Sequence, residues 1–401
     1  MKGLLLSLVL FFLSISGLNA QSRCIRFWDD DWTMLLKKAE KSGKLIFVDC
    51  YTSWCGPCKT LAKDIFTLDS VADFFNQHFL CVQFDMEKGK GGELKKPFEI
   101  RAYPTLLFIN GKNQIIHRIV GCDGPGYLMG EARKALDPQL NFRVMQKRYA
   151  AGERGAAFIL EYLKYLDHAY LEREANAVAL DYLQAFKEEE LITSGNWKII
   201  EQYITDPLAM PLQVVMKHRK AFFDLVSENE VVNKLNLACR SALLPLSRWR
   251  PDAEVVFDEA YYKALVTYFQ SVDYDLAPEC LANLYTAGFM YRGDYQGMLE
   301  EMNRVMEYGI INSYMKEVYL MNYLSALKDC KDPAVVRQGT AWLERLEKEW
   351  QGYALVSVMQ VHAILEECLG NKEKAKLLGE QARQLKEDTT AEMMRRYNLK
   401  K

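Results

Sequence analysis

The spacing of hydrophobic residues divides the chain into an alternating first third and a helical remainder. Near the start, Trp32, Leu35, Leu36 and Ala39 recur at the spacing of one helix face, between an aspartate run and Gly43. Short apolar runs follow and predict strands, and the order of predicted elements is α, β, α, β, α, β, β, α. The predicted strands cover residues 45–50, 79–85, 105–109 and 114–120. This order joins one crossover unit to one hairpin, so it predicts a mixed central sheet with helices on both faces.

After Asp137-Pro138 the pattern changes to long stretches at helical spacing that continue to the end of the chain. We therefore expect an α/β domain over residues 21–138 and an all-helical domain over residues 139–401. Small residues around Gly370 follow a spacing that resembles a tetratricopeptide repeat, and the segments around Gly293 and Gly152 repeat it more weakly. A degenerate helical repeat array and a non-repetitive helical bundle both remain open.

The first twenty residues have the pattern of a secretory signal peptide. Lys2 is followed by an apolar stretch from Leu4 to Ile15, which is shorter than the ~20 apolar residues that cross a bilayer. We place the cleavage site after Ala20, with an uncleaved anchor as the alternative. The protein is therefore expected to be exported across the inner membrane and to be soluble, in a periplasmic and oxidising compartment.

Composition excludes several classes of function. The 401 residues are 50% hydrophobic and 26% charged, with a net charge of −2 and no polybasic run, so nucleic acid is not an expected partner. The five histidines form no i, i+4 pair of histidines, and no metal site is expected. The aromatic residues lie mainly at helical spacing, which favours core packing over a cofactor site, and no cofactor is expected.

The chemistry is concentrated in the segment Trp54-Cys55-Gly56-Pro57-Cys58, directly after a predicted strand and at the start of a predicted helix. Two cysteines three residues apart can close a small disulfide ring. The first thiol faces the unpaired N–H groups of the helix N-terminus, which favour the thiolate, the nucleophile in disulfide exchange. Cys55 is therefore the predicted attacking thiol and Cys58 the resolving thiol. A structural disulfide and half of a zinc site are the alternatives.

These residues carry a resemblance to the thioredoxin family over roughly residues 29–137. The run from Val48 to Lys59 and the later Tyr103-Pro104-Thr105 resemble the two signature segments of that family. The resemblance implies a thioredoxin-like α/β fold and a role in thiol–disulfide exchange.

The resemblance also implies roles for individual residues. Asp49 is expected as a buried carboxylate that accepts a proton from Cys58 through water. Pro104 is expected in the cis form, facing the disulfide, while the backbone of Tyr103 pairs with the substrate peptide. The remaining substrate-binding positions expected on this basis are Trp54, Gly56, Pro57 and Gly121.

One position departs from the family pattern. Members often carry a lysine four residues before the aspartate that ends the next strand, whereas this chain has Cys81 four residues before Asp85. Asp49 is therefore expected to lack a cation, and burial should favour its protonated form. The other eight cysteines show no motif and are interpreted mostly as small buried residues, with disulfides as the alternative: Cys24, Cys50, Cys81, Cys122, Cys239, Cys280, Cys330 and Cys368.

The resulting hypothesis is an exported enzyme that reduces protein disulfides. Gly56-Pro57 between the cysteines is typical of reducing members of the family, and a reductant outside the cytoplasm needs a membrane thiol-electron donor. The helical domain is expected to bind a substrate or partner protein. Two alternatives remain: a disulfide isomerase or oxidase that dimerises through the helical domain, and a helical interaction protein with an accessory thioredoxin module.

Overall fold

A computed structural model describes residues 23–252 and 256–397. The described chain divides into two compact units, the first ending at Tyr182 and the second beginning at Leu183. The expected signal peptide, residues 1–20, lies outside the described residues. Within the described ranges, no helix has both the length and the apolar character needed to cross a bilayer.

The first unit is built on a four-stranded mixed sheet, as the hydrophobic pattern predicts. The strands are β1 Leu45–Tyr51, β2 Phe79–Asp85, β3 Thr105–Ile109 and β4 Ile115–Val120, in the spatial order β2-β1-β3-β4. β1 pairs in parallel with β2 and antiparallel with β3, and β3 pairs antiparallel with β4. β1 is therefore central, and its five inner residues are buried because helices cover both faces.

Helices connect and flank these strands. In chain order they are α1 Trp32–Ser42, α2 Gly56–Thr60, α3 Asp69–His78, α4 Gly89–Lys95 and α5 Pro125–Leu136, and a π-helical turn, Leu61–Ile65, continues α2. Asp31 caps α1 by accepting a hydrogen bond from the N–H of Thr33, and Gly43 ends this helix in the left-handed conformation with a φ of 70°. The element order matches the prediction.

The β3–β4 hairpin is longer at its tip than a two-residue Asn-Gly turn. Five residues, 110–114, connect the strands, and the N–H of Asn110 donates to the carbonyl of Gln114 over 3.0 Å. The left-handed residue of the loop is Asn113, with a φ of 58°. Gly111 is needed for a different reason, because a Cβ at this position would lie 2.5 Å from the backbone nitrogen of Glu40.

From residue 139 onward the described chain is helical, as expected. The first unit also contains α6 Phe142–Ala150, α7 Ala156–His168 and most of α8 Glu172–Leu183, so it extends beyond the boundary that we predict after Pro138. The second unit contains α9 Ser194–Tyr203, α10 Met210–Lys217, α11 Arg219–Leu225, α12 Glu228–Ser247, α13 Glu259–Ser271, α14 Ala277–Tyr291, α15 Tyr295–Glu307, α16 Ser313–Ala326, α17 Pro333–Glu349, α18 Gly352–Cys368 and α19 Lys372–Arg396.

The three glycines of the repeat-like spacing occupy equivalent places. Gly152, Gly293 and Gly370 lie between consecutive helices, with φ values of 93°, 72° and 82°. Glycine adopts the left-handed conformation after a helix at the lowest cost, so these positions favour the residue that the sequence supplies. The repeat-like spacing thus marks helix–turn–helix units, whereas a degenerate tetratricopeptide-like array stays a prediction, with a non-repetitive bundle as the alternative.

Candidate active site

The two cysteines lie where the central strand passes into a helix. β1 ends at Tyr51, and Cys55 is the N-cap of α2. The backbone N–H of Cys58 donates to Sγ of Cys55 over 3.1 Å, so the sulfur takes the place of a capping side-chain oxygen. Pro57 lies in the first turn of α2, where a missing N–H removes no hydrogen bond within the helix. Sγ of Cys55 therefore faces the positive end of a helix.

Cys55 and Cys58 form a disulfide bond, with their Cα atoms 5.4 Å apart. Each residue is 4% exposed, so the bond lies just below the surface. A disulfide between residues of one short turn can be opened and closed without rearranging the sheet. This arrangement excludes half of a zinc site for the oxidised state, because both sulfurs are used in the bond.

The segment that precedes β3 reaches the same edge of the sheet. Cys50 pairs with Thr105, so the residues after β1 and those before β3 lie side by side. The Tyr103–Pro104 peptide bond is cis, which is the geometry that the resemblance implies. The carbonyl of Pro104 accepts a hydrogen bond of 2.8 Å from the N–H of Gly121. The structure thus brings the predicted residues of three separate segments to one edge.

Gly121 keeps this edge open. Its φ of 77° lies in the left-handed region, and a Cβ built on it would have no atom within 4 Å. The absence of a side chain therefore leaves space beside Pro104 rather than satisfying a close internal contact. That space has the position expected for an extended peptide next to the disulfide.

Aromatic side chains form one wall of the site. Trp54 is 64% exposed, and its ring lies 5.9 Å from that of Tyr103 in an edge-to-face arrangement. The indole N–H of Trp54 donates to Glu87 over 3.0 Å, and Nζ of Lys95 lies 5.6 Å from the centre of the Tyr103 ring. These contacts hold a large apolar surface in place beside Cys55, which suits contact with a protein substrate.

Asp49 is buried without a cation. It pairs with Gln83 of β2 and Leu106 of β3, is 2% exposed, and its Oδ1 has no hydrogen-bond partner among the described residues. Burial raises the pKa of Asp49 to about 7, so the carboxyl is poised to exchange a proton near neutral pH. The expectation that its protonated form is favoured is confirmed.

Cys81 explains the missing cation. It lies opposite Phe47, one pleat from Asp49 on the same side of the sheet, where its buried thiol contacts the carbonyl of Phe75 over 3.8 Å. Burial raises the pKa of the Cys81 thiol, so it supplies no charge to Asp49.

The other cysteines are unpaired, and only half of them are buried. The interpretation as small buried residues holds for Cys50, Cys81, Cys239 and Cys280. It is wrong for Cys24 and Cys368, which are exposed; Cys368 is the last residue of α18. Cys122 and Cys330 are partly buried.

Sequence analysis missed Arg118, which supports the segment before Pro104. Arg118 is 6% exposed, and its guanidinium donates to the carbonyls of Phe98 and Glu99 over 3.0 and 2.8 Å. Glu99 has a φ of 50°, a strained value that needs such support. The signal was available, because a charged residue in the apolar run of β4 must find buried partners.

The neighbouring His117 was also missed. Its Nε2 lies 2.8 Å from Glu131 of α5, while its Nδ1 accepts a hydrogen bond of 3.2 Å from the N–H of Phe142. The imidazole therefore carries its proton on Nε2 and is neutral, and burial lowers the pKa of His117. This pair of bonds fixes α5 and α6 to the sheet.

Comparisons with known proteins find thioredoxin-like relatives of the first part of the chain. Residues 28–111 match a family model described as thioredoxin-like. Thioredoxin H4 of Arabidopsis thaliana is 33% identical over 95 residues, which are 24% of this chain and 75% of that protein. Thioredoxin H3 of the same plant is 33% identical over 92 residues, 23% of this chain and 72% of that protein. The solution structure of a candidate disulphide-isomerase from Bacteroides thetaiotaomicron is 44% identical and covers 29% of this chain and 97% of that one, with a TM-score of 0.27.

Proposed function

The chain belongs to the thioredoxin family, and from this premise we propose that it is an exported thiol–disulfide oxidoreductase that reduces disulfide bonds in proteins. The observation that carries the proposal is the Cys55–Cys58 disulfide at the start of α2, with the N–H of Cys58 directed at Sγ of Cys55. A sulfur in this position is the better leaving group and the better nucleophile of the pair. Thiol–disulfide exchange then starts and ends at Cys55.

The proposed reaction has two exchange steps. The Cys55 thiolate attacks one sulfur of the client disulfide, so a mixed disulfide forms and the other client sulfur leaves as a thiolate. Cys58 then gives its proton to Asp49 and attacks Sγ of Cys55, which breaks the mixed disulfide. The client gains two electrons and becomes a dithiol, while the enzyme loses two and regains the Cys55–Cys58 bond. A thiol donor at the membrane must return these electrons.

The substrate is proposed to bind as an extended peptide beside Pro104. The space next to Gly121 and the exposed ring of Trp54 support this position. A peptide there would pair with the backbone of Tyr103 and place its disulfide against Cys55. Tyr103 itself adds an aromatic surface, which favours clients with apolar or aromatic residues next to the cysteine.

Trapping of mixed disulfides tests the reaction. In Cys58→Ser the second step is blocked, so Cys55 should hold client proteins covalently until a reductant is added. The matched variant Cys55→Ser keeps one thiol of the pair and should trap no client. Equal trapping by both variants would contradict the assignment of Cys55 as the attacking thiol.

The helical region is proposed to bind a protein partner or the client. Large apolar side chains on its surface support this, among them Leu237 on α12 and Val318 on α16, which are 64% and 52% exposed. Replacing both with Glu should reduce trapping of protein clients while leaving reduction of a small disulfide peptide unchanged. Leu377→Glu, at a residue that is 55% exposed on α19, is the control. Unchanged trapping by the double variant would contradict this role.

Export is proposed from the first twenty residues of the sequence. The mature chain should begin at Gln21. Sequencing of the amino terminus of the protein recovered outside the cytoplasm tests this, and a chain that retains Met1 would contradict it.

A further inference from the structure

A second cluster of reactive side chains lies in the helical unit, within a group of three consecutive helices. His362 and Glu366 are one turn apart on α18, and Glu347 lies opposite them on α17. The side chains of His362 and Glu366 are 1% and 4% exposed, so both groups are enclosed by protein. Buried groups of this kind need compensating partners.

Each ring nitrogen of His362 contacts a carboxylate. Nδ1 lies 2.6 Å from Oε1 of Glu347, and Nε2 lies 3.1 Å from Oε1 of Glu366. A neutral imidazole has a single N–H and can donate to only one of these carboxylates. In the neutral form, the shorter contact places the N–H on Nδ1, and the lone pair of Nε2 is then available to a metal ion. A carboxylate that holds one nitrogen of a histidine while the other binds a metal ion is the usual second shell of a zinc site.

We propose that the helical unit binds a zinc ion through Glu344, His362 and Glu366, with Glu347 as a positioning residue for His362. The ligand atoms of these three residues lie within 4.8 Å of one another. Ligands at about 2.0–2.1 Å from a tetrahedral Zn²⁺ lie about 3.3 Å apart, close to the observed separation of His362 and Glu366. An imidazole with two carboxylates selects Zn²⁺ over Ca²⁺ and Mg²⁺, which prefer oxygen ligands alone.

Lys374 marks the position of the cation. Its Nζ lies 2.7 Å from Oε1 of Glu366 and 3.0 Å from Oε1 of Glu344, between two of the three proposed ligands. The amide of Asn371 donates to the other oxygen of Glu366 over 2.6 Å, so Oε1 is held toward this position. The ammonium of Lys374 pairs with Glu344 and Glu366, while Glu347 contacts His362. The cluster therefore holds more carboxylates than ammonium groups, and a divalent ion would reduce that excess of negative charge further.

Zinc and Lys374 therefore compete for one place. The Lys374 side chain is 45% exposed and can withdraw into solvent when the ion enters. The Glu344 side chain is 54% exposed, so this ligand can adjust to the ion, whereas His362 and Glu366 are fixed. The ion would then join α17 to α18.

Zinc binding by the full chain tests the proposal directly. The protein is prepared without a histidine tag, with Cys55–Cys58 oxidised, treated with a chelator, and titrated with Zn²⁺ against a chromophoric zinc indicator. We expect His362→Gln to weaken binding at least tenfold, the effect of losing one ligand or its support. Lys374→Ala should tighten binding roughly tenfold, because the competing cation is removed; this factor corresponds to about 1.4 kcal/mol.

Two controls separate this site from other sources of zinc affinity. His218→Gln removes a histidine that contacts a single carboxylate, Glu188, which also pairs with Lys217. This variant should leave zinc binding unchanged. The free cysteines are the same in all variants, so they do not contribute to the differences.

If His362→Gln does not fold, Glu344→Gln still tests the proposal, because residue 344 is on the surface. This variant should bind zinc more weakly. Zinc binding should raise the Tm of the wild type, and Glu344→Gln should not show this rise. Equal zinc affinity in the wild type and in Glu344→Gln, or no tightening in Lys374→Ala, would overturn the proposal. Lys374 would then be the cation that neutralises the cluster, through its ion pairs with Glu344 and Glu366.

Discussion

Replacing the buried carboxyl of Asp49 by an amide should stabilise the protein in a pH-dependent way. Asn has the same shape as Asp but no charge, and Asp49 is 2% exposed with no cation beside it. Burial raises the pKa of Asp49 from 3.8 to about 7. The unfolded chain therefore ionises first, and each ionised Asp49 favours the unfolded state.

The magnitude follows from the two pKa values. The destabilisation caused by Asp49 is absent below the pKa of the unfolded chain and grows as the pH rises toward the folded pKa. Above the folded pKa the destabilisation stays constant. Integration between 3.8 and about 7 gives a cost of about 4 kcal/mol at pH 8 and of about 1 kcal/mol at pH 4.5. Asp49→Asn removes this cost, so its advantage over the wild type should grow by about 3 kcal/mol between these pH values.

Hydrogen exchange is the suitable assay because the chain has two compact units. Exchange of amides in β1 and β3, measured on the oxidised protein, reports the opening free energy of the first unit separately from that of the helical unit. Asp85→Asn is the matched control at the end of β2. The N–H of Glu87 lowers the pKa of Asp85, so the stability that its charge contributes is already present above the ordinary pKa of 3.8. The difference between Asp85→Asn and the wild type should therefore be nearly the same at pH 4.5 and pH 8. An Asp49→Asn variant with the same relative stability at pH 4.5 and pH 8 would refute the reasoning.

Further substitutions test the support of the site. Gly121→Val should cost about 1–2 kcal/mol, because a branched residue replaces glycine at a left-handed φ of 77°, and should raise the KM for protein disulfides. Arg118→Met should cost about 3 kcal/mol by leaving the buried carbonyl of Phe98 and the partly buried carbonyl of Glu99 without a donor. It should also raise KM, and an unchanged KM would contradict its positioning role. His117→Gln should lower the free energy of unfolding in urea by about 2 kcal/mol, because it disrupts the contact with Glu131. His218 is partly exposed, so His218→Gln should lower it by less than about 0.5 kcal/mol.

Asp49 links stability to function. A buried carboxyl that destabilises the fold near neutral pH lies at the site where the proposed mechanism takes a proton from Cys58. If it is the proton acceptor, the release of client from the mixed disulfide should become faster as the pH rises to about 7 and then level off. In Asp49→Asn this pH dependence should disappear in rapid-quench measurements, and its persistence would assign Asp49 a purely structural role.

The sheet and the reactive pair could be predicted because their signals are local. Alternating and continuous apolar runs identify the four strands, and the position of Cys55 at a strand–helix junction identifies the chemistry. The lack of a cation near Asp49 could also be predicted, since it depends on one residue, Cys81, in the adjacent strand. In each of these cases a short stretch of sequence fixes the outcome.

Features that depend on several elements at once could not be predicted. The contact between His117 and Glu131 needs the register of β4 against α5, and neither residue has a motif. The cluster around His362 combines residues of three helices, and its i, i+4 partner is Glu366 rather than a second histidine. Burial decides the role of such residues, and burial of a helix face depends on packing that local spacing does not specify.

The reduction potential of the Cys55–Cys58 couple tests the central claim most directly. The full chain is equilibrated with defined glutathione or dithiol buffers, and the two thiols are monitored separately from the eight other cysteines. A reductant should give a value near or below about −250 mV, and ~30 mV corresponds to ~1.4 kcal/mol for this two-electron couple. A value above about −180 mV would contradict the account, because such a protein passes oxidising equivalents to its clients as an isomerase or oxidase does.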